Sequence, residues 1–264
     1  NAGDGCSCAA ALQRLGQLVG LSLRLGPLHL GARRSPVHTA EEAERLARAV
    51  AARPGFALVG LMFYDAQIAG VPDSSPAVRL MKRRSAAELV DRRAAVVATV
   101  GRHAELEIVN AGGTGSLHVV GDDPVLTELT AGSGLLAPTL FDGYAGFSPR
   151  PAGYYALDVV RRPAADLATL FSGGFIASGP TGASRAPTPV WPDGLALTRA
   201  EGAGEVQTPV RGAGAGALAV GDRVLMRHAK AGEMCERLAE VARVGSDGTT
   251  RVVPTYRGEG RVFG

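Results

Sequence analysis

The stretch Glu105-Leu106-Glu107-Ile108-Val109-Asn110-Ala111-Gly112-Gly113-Thr114-Gly115-Ser116 couples a short β-prone run to a glycine-rich turn. Glycines let several backbone N–H groups converge on one point, and the Thr114 and Ser116 hydroxyls add donors, so a phosphate fits the turn. An ordinary turn uses the same residue types, and a lone glycine loop does not separate the two readings. A second small-residue loop, Ala131-Gly132-Ser133-Gly134, follows the next strand-like run, 126–130. Two such loops after successive strands is the arrangement that many phosphate-binding (β/α)8 barrels use, which favours phosphate.

Working outward, residues 40–138 alternate helix-like and strand-like segments, which predicts an α/β domain with parallel strands. A helix is expected over 40–52, with Glu41, Glu42 and Glu44 early and Arg45 and Arg48 later, as the helix dipole prefers. The nearly continuous apolar run 56–64 reads as a strand covered on both faces. A long helix over 76–103 and a strand over 105–110 complete a strand, helix, strand unit. Beyond about residue 150, glycine and proline punctuate β-prone pieces at 156–160, 217–227 and 251–254, which predicts a mostly antiparallel β domain. The boundary is expected within 141–153, giving a barrel-type domain over 1–145 and a β domain over 146–264. Residues 1–25 are the least legible part, and no internal repeat is visible.

Composition excludes several classes. At 264 residues with 46% hydrophobic and 20% charged side chains, the chain can bury a sizeable core and is not a disordered protein. Its 28 basic and 25 acidic residues nearly balance, leaving no electrostatic footprint for nucleic acid. No apolar run approaches the ~20 residues of a membrane span, and Asn1-Ala2-Gly3-Asp4 does not read as a signal peptide. Cys6, Cys8 and Cys235 form neither a disulfide framework nor a paired zinc spacing. A cytoplasmic protein without a membrane or nucleic-acid partner is therefore expected. The start without methionine is expected to mark a fragment or remnant, although processing also removes it.

Several motifs in order resemble a known family. Gly60-Leu61-Met62-Phe63-Tyr64-Asp65-Ala66-Gln67-Ile68-Ala69-Gly70 and the two glycine loops are similar to the last three barrel strands of alanine-racemase-like (fold type III) pyridoxal-phosphate enzymes. More closely, the chain resembles a bacterial amino acid deaminase or aldolase branch related to D-threonine aldolase and D-serine dehydratase. The stretches 201–209, 227–233 and 254–261 resemble parts of that branch's C-terminal β domain, and the likeness runs from about Leu25 to the end. The fold implied is α/β plus β: the C-terminal part of a (β/α)8 barrel followed by the antiparallel domain.

The resemblance implies pyridoxal 5'-phosphate as cofactor. Its phosphate would lie on Asn110, Gly112, Gly113, Thr114, Gly115 and Ser116, and on Gly132, Ser133 and Gly134. Tyr64 and Gln67 would line the ring, and Arg33 or Arg34 would meet its phenolic oxygen. Gln207, His228, Lys230 and Tyr256 are the implied substrate contacts. The expected substrate is a small D-amino or β-hydroxy amino acid, undergoing loss of its β-hydroxyl or Cα–Cβ cleavage. A homodimer is implied by the resemblance alone.

Two departures qualify this. In the family, the lysine that holds the cofactor covalently lies on the first barrel strand, ahead of anything matched here, and this chain has only Lys82 and Lys230. Lys82, on a basic helix turn, is expected to be solvated. Without such an amine the usual chemistry is lost, so impaired catalysis is expected of this chain. The second concerns metal: His228 matches a family metal ligand, but Lys230 stands where a Cys or Asp should follow, and an ammonium cannot ligate a divalent metal. It can supply charge or a proton instead. An active lyase, a noncovalent pyridoxal-phosphate-binding protein, a non-catalytic remnant and an amino acid racemase all stay open at this point.

Overall fold

The computed structural model describes residues 34–230 and 232–261. They fall into two compact units. The first takes the described residues up to Gly132 together with Gly143–Phe147, and the second takes Ser133–Asp142 and everything from Ser148 onward. The chain therefore passes between the units more than once, whereas the sequence places one crossing near residue 145. Arg227 gives the reason for the early passage: its guanidinium grips both oxygens of Asp142 at 2.8 and 2.9 Å and donates to Ala137 O at 2.9 Å. A bidentate, charge-assisted clasp of this kind fixes geometry as well as adding energy.

In the first unit, helix α1 (Ala40–Ala51) starts at a reciprocal capping box. Thr39 Oγ1 accepts from Glu42 N while Glu42 Oε2 accepts from Thr39 N and His38 N, satisfying donors that a helix start leaves open. Ala43, Ala47 and Val50 form its buried stripe. Strand β1 (Gly60–Phe63) leads into the single turn α2 (Ala66–Ala69) and the long helix α3 (Pro76–Val100). Strand β2 (Ile108–Ala111), the turn α4 (Leu117–Val120) and strand β3 (Glu128–Leu129) follow. The sheet order is β1-β2-β3 and both pairings are parallel, as expected of strands joined through helices.

The strand expected over 56–64 is shorter in the structure because its partner begins late. Glu107 and Ile108 N–H groups both reach Val59 O, and regular pairing starts only at Gly60↔Ile108. Leu61, Phe63, Val109 and Ala111 pack with Leu89, Val96 and Val100 of α3 in one core. The buried stripe of α3 also contains Lys82, Ser85 and Arg93. Arg93 Nε meets Asp123 at 2.6 Å with both side chains only 1% exposed.

The second unit is antiparallel. Strands β4 (Tyr155–Ala164), β5 (Leu167–Phe171), β6 (Thr188–Trp191), β7 (Ala196–Leu197), β8 (Gln207–Arg211) and β9 (Arg223–Arg227) form one sheet. Its order is β6-β9-β4-β5-β8-β7. Tyr155, Leu157 and Val159 alternate with exposed residues along β4 and join Leu170, Val210, Val224 and Met226 in its core, the period of a sheet with one buried face. A short helix α5 (Gly232–Arg237) and the hairpin β10 (Glu240–Val244) and β11 (Thr250–Pro254) complete it. The strand expected over 217–227 begins only at Arg223, because Ala213–Ala217 form a 3-10 turn and Gly221, at φ +95°, turns the chain.

Candidate cofactor-binding site

Strand β2 ends at Ala111, and Gly112 takes φ +97°, a conformation open to glycine at little cost. The next turn is closed internally. Gly113 N donates to Ser116 Oγ at 3.1 Å, and Ser116 N and Oγ donate to Gly113 O at 2.9 and 3.2 Å. Thr114, Gly115 and Ser116 are buried. A Cβ on Gly115 would stand 2.4 Å from Ala69 O and 2.7 Å from the Tyr144 ring, while one on Gly113 would touch Ala69 Cβ at 3.0 Å. Glycine at 115 is thus demanded by close packing of the loop on α2 and Tyr144, a requirement invisible in the sequence. Tyr144 secures that contact by donating its hydroxyl to Ala69 O at 2.6 Å.

Asn110 has a different role from the one expected. Its Nδ2 donates to Glu128 Oε1 at 2.7 Å and to Thr130 Oγ1 at 2.5 Å, so the amide clasps β2 to β3 instead of facing a phosphate. In the second loop, Gly132 closes the first unit with open space around its Cα, whereas Ser133 and Gly134 open the second in a 3-10 turn. Arg33 lies outside the described residues. Its neighbour Arg34 places its guanidinium 5.9 Å from the centre of the Tyr64 ring, within cation–π range.

The sequence reading missed Asp65. It follows Tyr64 at the end of β1 and is 2% exposed, and neither carboxyl oxygen has a hydrogen bond of normal geometry, although the Ser116 hydroxyl lies near. Burial pushes its carboxyl above the usual carboxylate range, against the opposing Ser116 hydroxyl and Arg93 charge. Gln67 is 5% exposed with both amide atoms unpartnered. Buried polar groups are nearly always paired, so these two, beside the glycine turn, mark a place where a polar partner is missing. An acid directly after a buried apolar strand was the available sequence signal for Asp65.

Lys82 is not the solvated residue expected. It is buried, ion-paired with Asp73 at 2.7 Å, and its Nζ lies 4.3 Å from the centre of the Tyr144 ring. Asp73 sits on the loop before α3, so sequence periodicity gave no hint of the pair.

In the second unit, His228 follows β9 and is fully buried, its ring packed against Gly153 and both nitrogens unpartnered. Burial holds its pKa below the ordinary histidine value, so the ring is neutral at pH 7. Lys230 Nζ donates to Ser178 O at 2.9 Å, and its backbone N–H to Glu233 Oε1 at 2.6 Å. The Tyr256 hydroxyl donates to Gly232 O at 3.3 Å, which brings it to the same segment. Gln207 does not join them. It starts β8, which is separated from β9 by β5 and β4 in the sheet order.

These donors do not fit a metal. His228 has an ammonium two residues on, and among the described residues no three His, Cys, Asp or Glu side chains gather. Neutral His228 carries a pH signature, because the unfolded chain, with an ordinary pKa near ~6.5, binds its proton more readily. Its contribution is present above that value and lost as pH falls through it toward the lower folded pKa. His228→Leu is therefore expected to flatten the fall in melting temperature between about pH 7 and pH 5; parallel profiles for the two proteins would contradict it.

No family model matches the chain, and no curated protein sequence does. Solved structures do. D-threonine aldolase from Filomicrobium marinum superposes with a TM-score of 0.71 at 22% identity, covering 88% of this chain and 62% of that one. This chain has the alanine-racemase-like fold. An alanine-racemase-like protein from Idiomarina loihiensis matches with a TM-score of 0.63 at 12% identity, over 84% of this chain and 62% of that one. A D-threo-3-hydroxyaspartate dehydratase variant matches with a TM-score of 0.61 at 17% identity, over 94% and 66%. The chain spans less than two thirds of the length of these proteins. The α/β unit is thus the later part of an alanine-racemase-like barrel domain, followed by a mostly antiparallel β domain. Among the described residues no helix is long and apolar enough to cross a membrane.

Proposed function

We propose that the first unit holds the phosphate and ring of pyridoxal 5'-phosphate, in a homodimeric lyase acting on small D-amino or β-hydroxy amino acids. The observation that carries this reading is the buried pair Asp65 and Gln67, without hydrogen bonds of normal geometry, beside the Gly112–Ser116 turn. The solved D-threonine aldolase and D-threo-3-hydroxyaspartate dehydratase, which share the fold, support the reaction class.

In this reading, the turn 112–116 would hold the phosphate through N–H groups other than those of Gly113 and Ser116, which close the turn on itself, with the Thr114 hydroxyl beside them. Gln67 would supply hydrogen bonds to the ring, Tyr64 would pack on it, and Asp65 would offer a carboxyl whose ionisation burial disfavours. When bound, the cofactor supplies a ring that withdraws electrons from the substrate's α-carbon. In the second unit, His228 is buried and neutral and could carry one proton, and the Lys230 ammonium is held on Ser178 O. Gln207 is not proposed with them.

The amines of this stretch are committed elsewhere: Lys82 to Asp73, Lys230 to Ser178. Binding without a covalent link to either lysine is the expected result. The test is titration of the chain with pyridoxal 5'-phosphate, borohydride reduction and mass spectrometry. Binding with no reduced adduct on Lys82 or Lys230 supports the reading; an adduct on either overturns the noncovalent part, and no binding overturns the whole.

A further inference from the structure

The first unit contains a cavity of about 510 Å³ that the cofactor reading does not use. Its apolar walls come from Ile68 of α2, Pro76 and Ala86 of α3, and Val119 of α4. Its charged wall is one face of α3, where Arg79, Lys82 and Arg83 follow helical spacing, and the His118 ring of α4 also lines it. A volume of this size is within the range of small-molecule sites.

The charges in it are unevenly matched. Asp73 is the single acid of the lining, and its carboxylate is already engaged by Lys82 at 2.7 Å and by Ala145 N at 2.8 Å. Burial raises its pKa, but the Lys82 ammonium and the Ala145 N–H outweigh that and hold the carboxyl below the usual carboxylate range. Arg79 uses one nitrogen on Asp73 O at 3.1 Å, and Arg83 has no hydrogen bond or ion pair among the described residues. Two exposed guanidinium groups thus stand over an apolar floor with no acid left to pair them. Guanidinium forks match the planar or tetrahedral oxygens of carboxylate and phosphate.

We propose that this cavity binds a small organic anion, with its oxyanion head on Arg79 and Arg83 and its apolar body against Ile68, Ala86 and Val119. This does not rest on the cofactor reading, because none of the lining residues belongs to the glycine turn.

The test is calorimetric titration of the chain with phenyl phosphate, using benzyl alcohol as the uncharged control. A Kd of about 0.1–1 mM is expected for phenyl phosphate, weakening at least ~10-fold in R79Q/R83Q, whose surface positions leave folding intact. The affinity is expected to be unchanged in Arg211→Gln, which removes an exposed arginine of the second unit. Absence of binding, equal binding of benzyl alcohol, or a loss in Arg211→Gln with R79Q/R83Q unaffected would each overturn the proposal, the last by assigning the anion to the second unit.

Discussion

Gly115→Ala is expected to destabilise the protein by about 2–4 kcal/mol, although it adds a single methyl group. The new Cβ would lie 2.4 Å from a backbone oxygen, Ala69 O, and 2.7 Å from the Tyr144 ring. Neither neighbour gives way easily. Ala69 O is fixed in α2 and accepts the Tyr144 hydroxyl at 2.6 Å, and Tyr144 in turn lies beneath Lys82. Relief requires the loop to lift away from α2, which disturbs the turn from Gly113 to Ser116. Gly132→Ala is the matched control: nothing lies within 4 Å of its added Cβ, so its effect is expected within about 0.5 kcal/mol. Thermal melts of the two variants check this, with a fall on the order of 10 °C expected for Gly115→Ala alone. Similar melting temperatures for both would show that the loop is not packed as described.

The second large effect is expected at Arg93. Replacing it with methionine strands the Asp123 carboxylate in an interior where its side chain is 1% exposed. Removing one partner of a buried pair typically costs about 3–5 kcal/mol, because the remaining charge keeps its desolvation penalty. Asp65 also loses a charge that opposes the rise of its pKa. The double variant Arg93→Met with Asp123→Leu removes both charges and is expected to recover most of the loss. Urea denaturation of the single and double variants measures it. A single variant within 1 kcal/mol of the parent protein, on the order of an exposed pair, would contradict burial of this ion pair.

These two predictions also show where sequence was informative. The capping box at Thr39 and Glu42, the parallel strands and the alternation of Tyr155, Leu157 and Val159 are local, so neighbouring residues announce them. The glycine turn was legible as a turn. Its packing on Ala69 and Tyr144 was not, since Tyr144 returns from a later part of the chain. For α3, hydrophobic periodicity fails because Lys82, Ser85 and Arg93 occupy its buried face, paid for by Asp73 and Asp123 outside the helix. Among the candidate site residues, His228, Lys230 and Tyr256 do share a segment, through Gly232. Gln207 was grouped with them by family likeness, but strand order sets it apart, and sheet order across four strands is not written in local sequence.

The central claim is that the Gly112–Ser116 turn holds the phosphate of pyridoxal 5'-phosphate. Equilibrium binding of pyridoxal 5'-phosphate and of pyridoxal, which lacks the phosphate, tests it most directly, with Thr114→Val as the loop variant. The account predicts binding of the phosphorylated form at least ~100-fold tighter, from several charge-assisted hydrogen bonds, with much of that preference lost in the variant. Equal affinity for the two compounds, or a phosphate preference untouched by Thr114→Val, would contradict it.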